Sequence, residues 1–117
     1  DFDYLKQLIY QRHRRNERGT LLMGDFNAPA GEEAYRHIVW NGEFIDQWYE
    51  SNPCHFLEPS HLARANGWEH QKEPRRIDFI FKHIRSSLRI NEMRLIFNGY
   101  FYPIVSDHFG CLARFHL

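Results

Sequence analysis

Long hydrophobic runs and cysteine are both scarce in this chain of 117 residues. No stretch approaches the roughly 18 consecutive apolar residues that a membrane-spanning helix needs, and the chain does not open with a charged-then-apolar signal peptide. We therefore expect no transmembrane segment. Only Cys54 and Cys111 are present, and such a distant pair in a chain with an ordinary core is more typical of two reduced thiols than of a disulfide. The compartment stays open, although reduced thiols favour the cytoplasm.

The chain also lacks a net charge. The 15 Lys and Arg residues balance the 15 Asp and Glu residues, so the chain as a whole has no electrostatic attraction to nucleic acid or to a membrane surface. Hydrophobic residues make up 43% of the chain, which is ordinary for a soluble protein. A chain of this length forms at most one domain and buries roughly two thirds of its unfolded surface.

The apolar pattern predicts elements in the order α-β-α-loop-β-β-β, which is typical of a layered α/β or α+β domain. Apolar residues at helical spacing predict a helix before Gly19 and another over residues 32–41. The predicted strands cover residues 20–23, which we expect to be buried, and residues 76–82, 88–97 and 108–115. Residues 44–49 are ambiguous between a short helix and a strand. Residues 51–74 are a polar stretch, long enough to be a working loop.

The first polar segment of interest follows the strand over residues 20–23. Asp25 comes directly after that strand and a glycine, where open α/β sheets place their ligand sites. If the chain stays extended, Asp25 and Asn27 lie on the same side, and a carboxylate and a carboxamide there can orient a water molecule and contact a phosphate oxygen. The alternative is a plain turn, because Gly-Asp-x-Asn-Ala-Pro is good turn chemistry by itself.

Asp78 lies inside an aromatic-rich strand, where an ionised carboxylate costs several kcal/mol unless something pairs with it. Its partner is either a neighbouring arginine, Arg75 or Arg76, or a histidine from another strand. His108 is the natural candidate because it opens the final predicted strand. A carboxylate on one imidazole nitrogen fixes the tautomer and keeps the ring basic. Such a pair typically contributes on the order of 10²- to 10⁴-fold to a proton-transfer step.

Asp107 precedes His108 and would then reach a metal ion or the attacking water. Acids and a histidine at strand ends suit a hard, oxygen-ligated cation such as Mg²⁺ better than zinc. A second cluster of possible ligands lies in the long loop and consists of Cys54, His55, His61 and His70. Its spacing matches no common zinc module and it contains one thiol, so we do not favour a zinc site.

The three polar segments, in this order, resemble the motifs of the endonuclease/exonuclease/phosphatase superfamily. That group includes deoxyribonuclease I, abasic-site endonucleases, neutral sphingomyelinases, inositol polyphosphate 5-phosphatases and poly(A) deadenylases. Its Gly-Asp-x-Asn motif corresponds to residues 24–27, and its Ser-Asp-His motif corresponds to residues 106–108. Its Arg-Ile-Asp-Tyr-Ile strand corresponds to residues 76–80, with Phe79 in the common tyrosine position. The resemblance implies an α/β fold, the C-terminal half of a layered DNase I-like α/β sandwich with a mixed or antiparallel sheet flanked by helices.

The resemblance also implies an enzyme that hydrolyses a phosphoester by in-line attack of water, with Mg²⁺, or alternatively Mn²⁺, stabilising the developing charge. It implies that Asp25 and Asn27 orient the water and contact the phosphate. Asp78 would hold His108, which would act as general base or bind the phosphate. Asp107 and Asp25 would serve the metal ion.

Members of the superfamily are usually much longer than this chain. We expect residues 1–117 to be the C-terminal portion of one such domain, whose N-terminal half supplies the main metal-ligand glutamate. The expected partners are that half and a phosphate-ester substrate, either a nucleic acid or a phospholipid headgroup. Without the other half, the chain would hydrolyse little and would leave an apolar face uncovered. The alternatives are a nuclease or deadenylase rather than a phospholipid-directed enzyme, and a non-catalytic module that retains the fold.

Overall fold

The computed structural model of the protein describes residues 2–13, 19–61 and 74–117. The elements in chain order are α1 (Phe2–His13), β1 (Leu21–Asp25), α2 (Glu33–Arg36) with a π-helical continuation (His37–Asn41), β2 (Phe44–Asp46), α3 (Gln47–Ser51), a 3₁₀ turn (Pro53–His55), β3 (Asp78–His83), β4 (Arg89–Ile96) and β5 (Gly110–His116). Each predicted strand corresponds to an observed strand within a few residues. Among the described residues, no helix combines the length and the apolar character that crossing a membrane requires.

One strand organises the core. The strands β1, β3 and β2 form an antiparallel sheet in that order, and β4 and β5 form a separate antiparallel pair. Because side chains alternate along a strand, β3 contributes to two apolar clusters. Phe79 and Phe81 pack with Tyr35 and Phe44, whereas Ile80 packs with Trp48 of α3 and with apolar residues of β4. Full burial of each such side chain stabilises the fold by about 1.5–3 kcal/mol.

This mixed α/β architecture, with antiparallel sheets and helices, confirms the predicted fold class. The ambiguous segment 44–49 contains both predicted element types, because β2 ends at Asp46 and α3 begins at Gln47. The Asp46 carboxylate accepts the Trp48 N–H at 3.1 Å and so caps α3. The change from strand to helix therefore has a local cause, the side chain of one aspartate.

The expectation that the first strand is buried was wrong. Residues Met23 to Asp25 of β1 are exposed, and Met23 is 58% exposed. The strand lies at the edge of its sheet, and an apolar edge strand is buried only where another part of the protein covers it. An exposed end of β1 places Asp25 at the surface rather than inside the core.

Candidate active site

Two carboxylates are brought together by the pairing of β1 with β3. Asp25 ends β1, Asp78 begins β3, and the two are direct partners in the antiparallel register. Directly opposed side chains in such a pair have Cβ atoms about 4.5–5.5 Å apart, and like charges there are unfavourable unless something compensates them. Gly24, which precedes Asp25, has a φ of 148°. Residues with a side chain rarely adopt this φ, so the backbone conformation before Asp25 favours glycine.

His108 supplies the compensation. Its Nδ1 lies 2.9 Å from Asp78 Oδ2, and its Nε2 lies 3.9 Å from Asp25 Oδ2. The first distance is that of a hydrogen bond in which Nδ1–H donates, whereas the second is too long for a hydrogen bond and becomes an ion pair only when the ring is protonated. The His108 side chain is 32% exposed. A carboxylate-held imidazole that solvent can reach has the geometry of a general base.

Asp78 is paired with an imidazole and a hydroxyl. The fully buried Ser60 donates its hydroxyl to Asp78 Oδ2 at 2.8 Å. The Ser60 hydroxyl oxygen in turn accepts the backbone N–H groups of Ile77 and Asp78 at 3.1 and 3.0 Å. Arg76, which the sequence offered as an alternative partner for Asp78, donates instead to Asp46 Oδ2 at 2.7 Å. Asp46 at the end of β2 and Asp78 at the start of β3 therefore belong to two separate pairs, one with Arg76 and one with His108.

The backbone leaves the extended conformation after Asp25. Asn27 has a φ of 50°, so the chain does not stay extended from Asp25 to Asn27. The expectation that these two side chains lie on the same side assumed an extended chain. The Asn27 N–H donates to Asp25 Oδ1 at 2.8 Å, which is the hydrogen bond of an Asx turn. Both residues are exposed. The turn restrains the Asp25 carboxylate through Oδ1, while Oδ2 is the oxygen that lies near His108.

Asp107 belongs to the same cluster and is held by hydrogen bonds to both of its oxygens. His61 Nε2 lies 3.2 Å from Asp107 Oδ2, and Ser106 Oγ donates to Oδ1 at 3.2 Å. The rings of His61 and His108 are 4.7 Å apart between centroids. Two histidine–carboxylate pairs thus lie side by side.

These contacts shift the pKa values of two groups. Burial alone would lower the pKa of His108, but the hydrogen bond and charge of Asp78, together with the two other carboxylates, outweigh it and raise the pKa. Burial alone would raise the pKa of Asp107, but the hydrogen bonds that it accepts and the neighbouring imidazoles outweigh it and lower the pKa. The cluster therefore favours an ionised Asp107 and a His108 that binds a proton more readily than free histidine.

Two sets of side chains bring three possible metal-ligating atoms within 4.8 Å of one another. One consists of Asp25, Asp78 and His108, and the other consists of His61, Asp107 and His108. Asp25 and Asp107, the residues that the sequence suggested for a metal ion, fall in different sets that share His108. Ionised carboxylate oxygens are the ligands that Mg²⁺ and Mn²⁺ take. The low pKa of Asp107 and the exposed carboxylate of Asp25 fit such an ion.

A small cavity of about 230 Å³ lies beside the paired carboxylates. Its lining consists of Met23, Gly24, Asp25, Asp78, Phe79, Ile80, Phe109 and Cys111. Its volume is below the roughly 300–1,000 Å³ of a site that encloses a small molecule. Burial raises the pKa of the Cys111 thiol to about 12, which excludes a reactive thiolate there at neutral pH. Cys54 and Cys111 are both free, as predicted.

Sequence reasoning missed two residues of this cluster, Ser60 and His61. In the sequence, His61 stands out only as a member of the loop cluster with Cys54 and His55. Within the described residues, neither Cys54 nor His55 belongs to a possible metal-ligating set. His70, the fourth member of that cluster, lies outside the described residues. No local sequence pattern marks Ser60 or His61, because their partners are 18 and 46 positions away.

Comparison with known proteins finds similarity among the solved structures. No protein-family model matches the chain, and no curated protein matches it. A solved structure of an endonuclease/exonuclease/phosphatase family protein from Leptotrichia buccalis C-1013-b is similar over 92% of this chain, with a TM-score of 0.61 and 26% sequence identity. The chain spans 41% of the length of that structure. The predicted resemblance is thereby confirmed: the chain has a DNase I-like α/β fold and is similar to part of an endonuclease/exonuclease/phosphatase family protein, in agreement with a C-terminal portion.

Proposed function

We propose that the intact protein is a metal-dependent phosphoester hydrolase, a phosphodiesterase or phosphatase, and that the cluster around His108 is half of its active site. The observation that carries this proposal is the placement of His108 between two carboxylates, 2.9 Å from one and 3.9 Å from the other. The similarity to an endonuclease/exonuclease/phosphatase family protein supports hydrolysis of phosphoesters as the general chemistry.

His108 is the proposed base. Asp78 binds Nδ1 and so fixes the tautomer that leaves Nε2 free to take a proton from water. Ser60 holds Asp78 in turn through a hydrogen bond of 2.8 Å. The raised pKa of His108 makes the ring a stronger proton acceptor than free histidine. Proton transfer of this kind contributes on the order of 10²- to 10⁴-fold.

Asp25 and Asn27 are the proposed positioning groups for the attacking water and the phosphate. Their exposure leaves both side chains available to a ligand, and the Asx turn restrains Asp25 without using its Oδ2. A carboxylate that accepts from water and a carboxamide that donates to a phosphate oxygen are complementary to those two partners. The cavity of about 230 Å³ beside Asp25 is the proposed position of the phosphate group.

Asp107 and Asp25 are the proposed holders of Mg²⁺, with Mn²⁺ as the alternative. When bound, such an ion stabilises the negative charge that develops on the transferred phosphoryl oxygens. The two carboxylates contribute by being restrained through hydrogen bonds. We propose that the main metal-ligand glutamate and the second sheet come from an N-terminal half of the same domain, so residues 1–117 alone hydrolyse little.

The substrate class is tested with a panel. We would measure Mg²⁺-dependent hydrolysis of abasic duplex DNA, poly(A), sphingomyelin and inositol phosphates by the intact protein. The proposal predicts activity on one nucleic-acid or phospholipid member, with nuclease or deadenylase activity as the alternative to a phospholipid-directed one. His108→Ala should lower kcat/KM by on the order of 10²- to 10⁴-fold.

His116→Ala is the matched control, because His116 is exposed at the end of β5. It should retain activity, and circular dichroism should show both variants folded. Full activity in a folded His108→Ala variant would refute the assigned role. Absence of hydrolysis across a broad panel of phosphoesters would favour a non-catalytic module that retains the fold.

A further inference from the structure

His61 is the least exposed titratable group of the cluster around His108. Its side chain is 3% exposed, compared with 15% for Asp107 and 32% for His108. Its backbone is paired with that of Arg75 by two hydrogen bonds, because the His61 N–H donates to the Arg75 carbonyl at 2.9 Å and the Arg75 N–H donates to the His61 carbonyl at 3.0 Å. The ring therefore has little freedom to move away from Asp107.

The hydrogen bond to Asp107 determines which ring nitrogen carries the proton. An ionised carboxylate only accepts, so Nε2 of His61 must be the donor across the 3.2 Å to Asp107 Oδ2. The other ring nitrogen, Nδ1, is buried and has no hydrogen-bond partner among the residues that the structure describes. With the proton on Nε2, this buried atom is a lone pair rather than an unsatisfied N–H donor, which is the less costly of the two arrangements.

Ser60, the residue before His61, also donates a hydrogen bond to a carboxylate of the cluster, that of Asp78. The Ser60 carbonyl accepts the Phe109 N–H at 2.7 Å. Two consecutive residues, Ser60 and His61, thus donate to Asp78 and Asp107, two of the three carboxylates in the cluster around His108. Ser60 and His61 link the loop before β3 to the segment that precedes β5.

We propose that His61 is a positioning residue, which fixes the Asp107 carboxylate for a divalent cation by donating a hydrogen bond from Nε2, and that it binds neither the cation nor the substrate. This inference rests on the proposed function, since it assigns to Asp107 the cation that the hydrolysis uses. It gives the two neighbouring histidines different roles. His108 exchanges a proton, whereas His61 acts only through Asp107. Loss of such a partner behind a metal ligand typically weakens metal binding or activity by about 10- to 100-fold.

The test uses His61→Gln and His61→Leu in the intact protein. Glutamine retains a side-chain N–H donor of similar reach, whereas leucine keeps the apolar bulk and removes the donor. His61→Leu should weaken Mg²⁺ affinity, measured by titration calorimetry, by about 10- to 100-fold, and His61→Gln should retain most of it. In kinetics, His61→Leu should raise the Mg²⁺ concentration needed for half-maximal rate more than it lowers kcat at saturating Mg²⁺. His116→Gln is the control and should leave both quantities unchanged.

A second measurement does not depend on activity or on the folding of any variant. Long-range ¹H–¹⁵N NMR of the wild-type ring should show the Nε2–H tautomer of His61, both with and without Mg²⁺. The Nδ1–H tautomer would overturn the proposal, because a ring that ligates the cation through Nε2 must carry its proton on Nδ1. A folded His61→Leu variant with wild-type Mg²⁺ affinity would also overturn it, as would a His61→Gln variant as weak as His61→Leu.

Failure of the proposed function is distinguishable from failure of this inference. If the wild-type protein binds Mg²⁺ with the predicted dependence on His61 but hydrolyses no phosphoester, the proposed function fails and the role of His61 stands. If the wild-type protein binds neither Mg²⁺ nor Mn²⁺, the role of His61 fails.

Discussion

Two aspartates on neighbouring strands, Asp46 at the end of β2 and Asp78 at the start of β3, differ in their surroundings. Asp46 is 3% exposed and accepts hydrogen bonds from Arg76 at 2.7 Å, from the Tyr35 hydroxyl at 2.8 Å and from the Trp48 N–H at 3.1 Å. Asp78 is 18% exposed in its side chain, and its partners are Ser60 and a histidine that is one third exposed. The Asp46 group is a fully buried ion pair, while the Asp78 group lies at the edge of a cavity.

The difference lies in the partner rather than in the carboxylate. Arginine stays protonated at every accessible pH, so Arg76 cannot act as a proton acceptor, and the pair serves to join β2, α3 and β3. Histidine changes its charge near neutral pH, so the Asp78 pair can exchange a proton through His108. The guanidinium of Arg76 also lies 4.9 Å from the Phe79 ring centroid and 5.0 Å from that of Phe56, which places it inside the aromatic core. The comparison separates a structural pair from one suited to chemistry.

The largest effect on stability is expected when the Asp46 pair is broken. Asp46→Ala leaves the buried Arg76 guanidinium without its carboxylate, and an uncompensated buried charge costs about 3–5 kcal/mol. We expect the free energy of unfolding in urea to fall by that amount. The double variant Asp46→Ala/Arg76→Met should recover much of the loss, because it removes the stranded charge. A loss below about 1 kcal/mol in the single variant would show that the pair behaves as a surface ion pair.

A smaller effect is expected from the hydroxyl that supports the same carboxylate. Burial, followed by the charge and hydrogen bond of Asp46, raises the pKa of Tyr35, so this hydroxyl remains a donor across the whole accessible pH range. Tyr35→Phe removes one hydrogen bond to a charged group, which costs about 1.5–3 kcal/mol, and keeps the ring packed against Phe79 and Phe81. Urea unfolding at pH 7 measures the loss. Tyr49→Phe is the control, because the Tyr49 ring is 51% exposed.

The smallest stability effect is expected at Asp78, together with a change in titration. Asp78 raises the pKa of His108, so the pair stabilises the fold below the ordinary imidazole pKa of about 6.5, and this contribution is lost as the pH rises through the raised pKa. Asp78→Asn should lower the pKa of His108, as followed by its ring-proton NMR signal, and reduce this pH dependence. Because His108 is partly exposed and screened by solvent, we expect the stability change to stay below about 1 kcal/mol.

Asp46→Asn is the control for this measurement, because Asp46 does not contribute to the pKa shift of His108. This variant should leave the pKa of His108 close to the wild-type value. If the pKa of His108 were the same in the wild-type protein and in Asp78→Asn, the proton-transfer role of the pair would lose its basis.

The sequence predicted the fold class and the family resemblance because both rest on local patterns. The alternation of Phe79 and Phe81 with Ile80 identified β3, and the observed strand buries both faces as a central strand does. The sequence did not predict the exposure of Met23, because burial of an edge strand depends on what packs over it and not on its own residues. It left residues 44–49 ambiguous because the change from strand to helix depends on one capping carboxylate, Asp46.

The site was anticipated from the sequence only in part. Asp78 and His108 were paired by asking what could compensate a carboxylate within an apolar strand, and the structure places them 2.9 Å apart. Arg76 was offered for the same carboxylate, although its partner is Asp46. The Asp107–His61 contact spans 46 positions and depends on the path of a loop, so no spacing rule could have shown it.

The most direct test of the account is to measure whether Asp78 and His108 act as one unit in catalysis. We would measure kcat/KM for the responsive phosphoester with Asp78→Ala, His108→Ala and the double variant of the intact protein. Residues that act as one unit show strongly non-additive losses, so the double variant should be about as slow as His108→Ala alone. If the two losses multiplied in the double variant, the two residues would act independently, and the proposal that Asp78 acts through His108 would be contradicted.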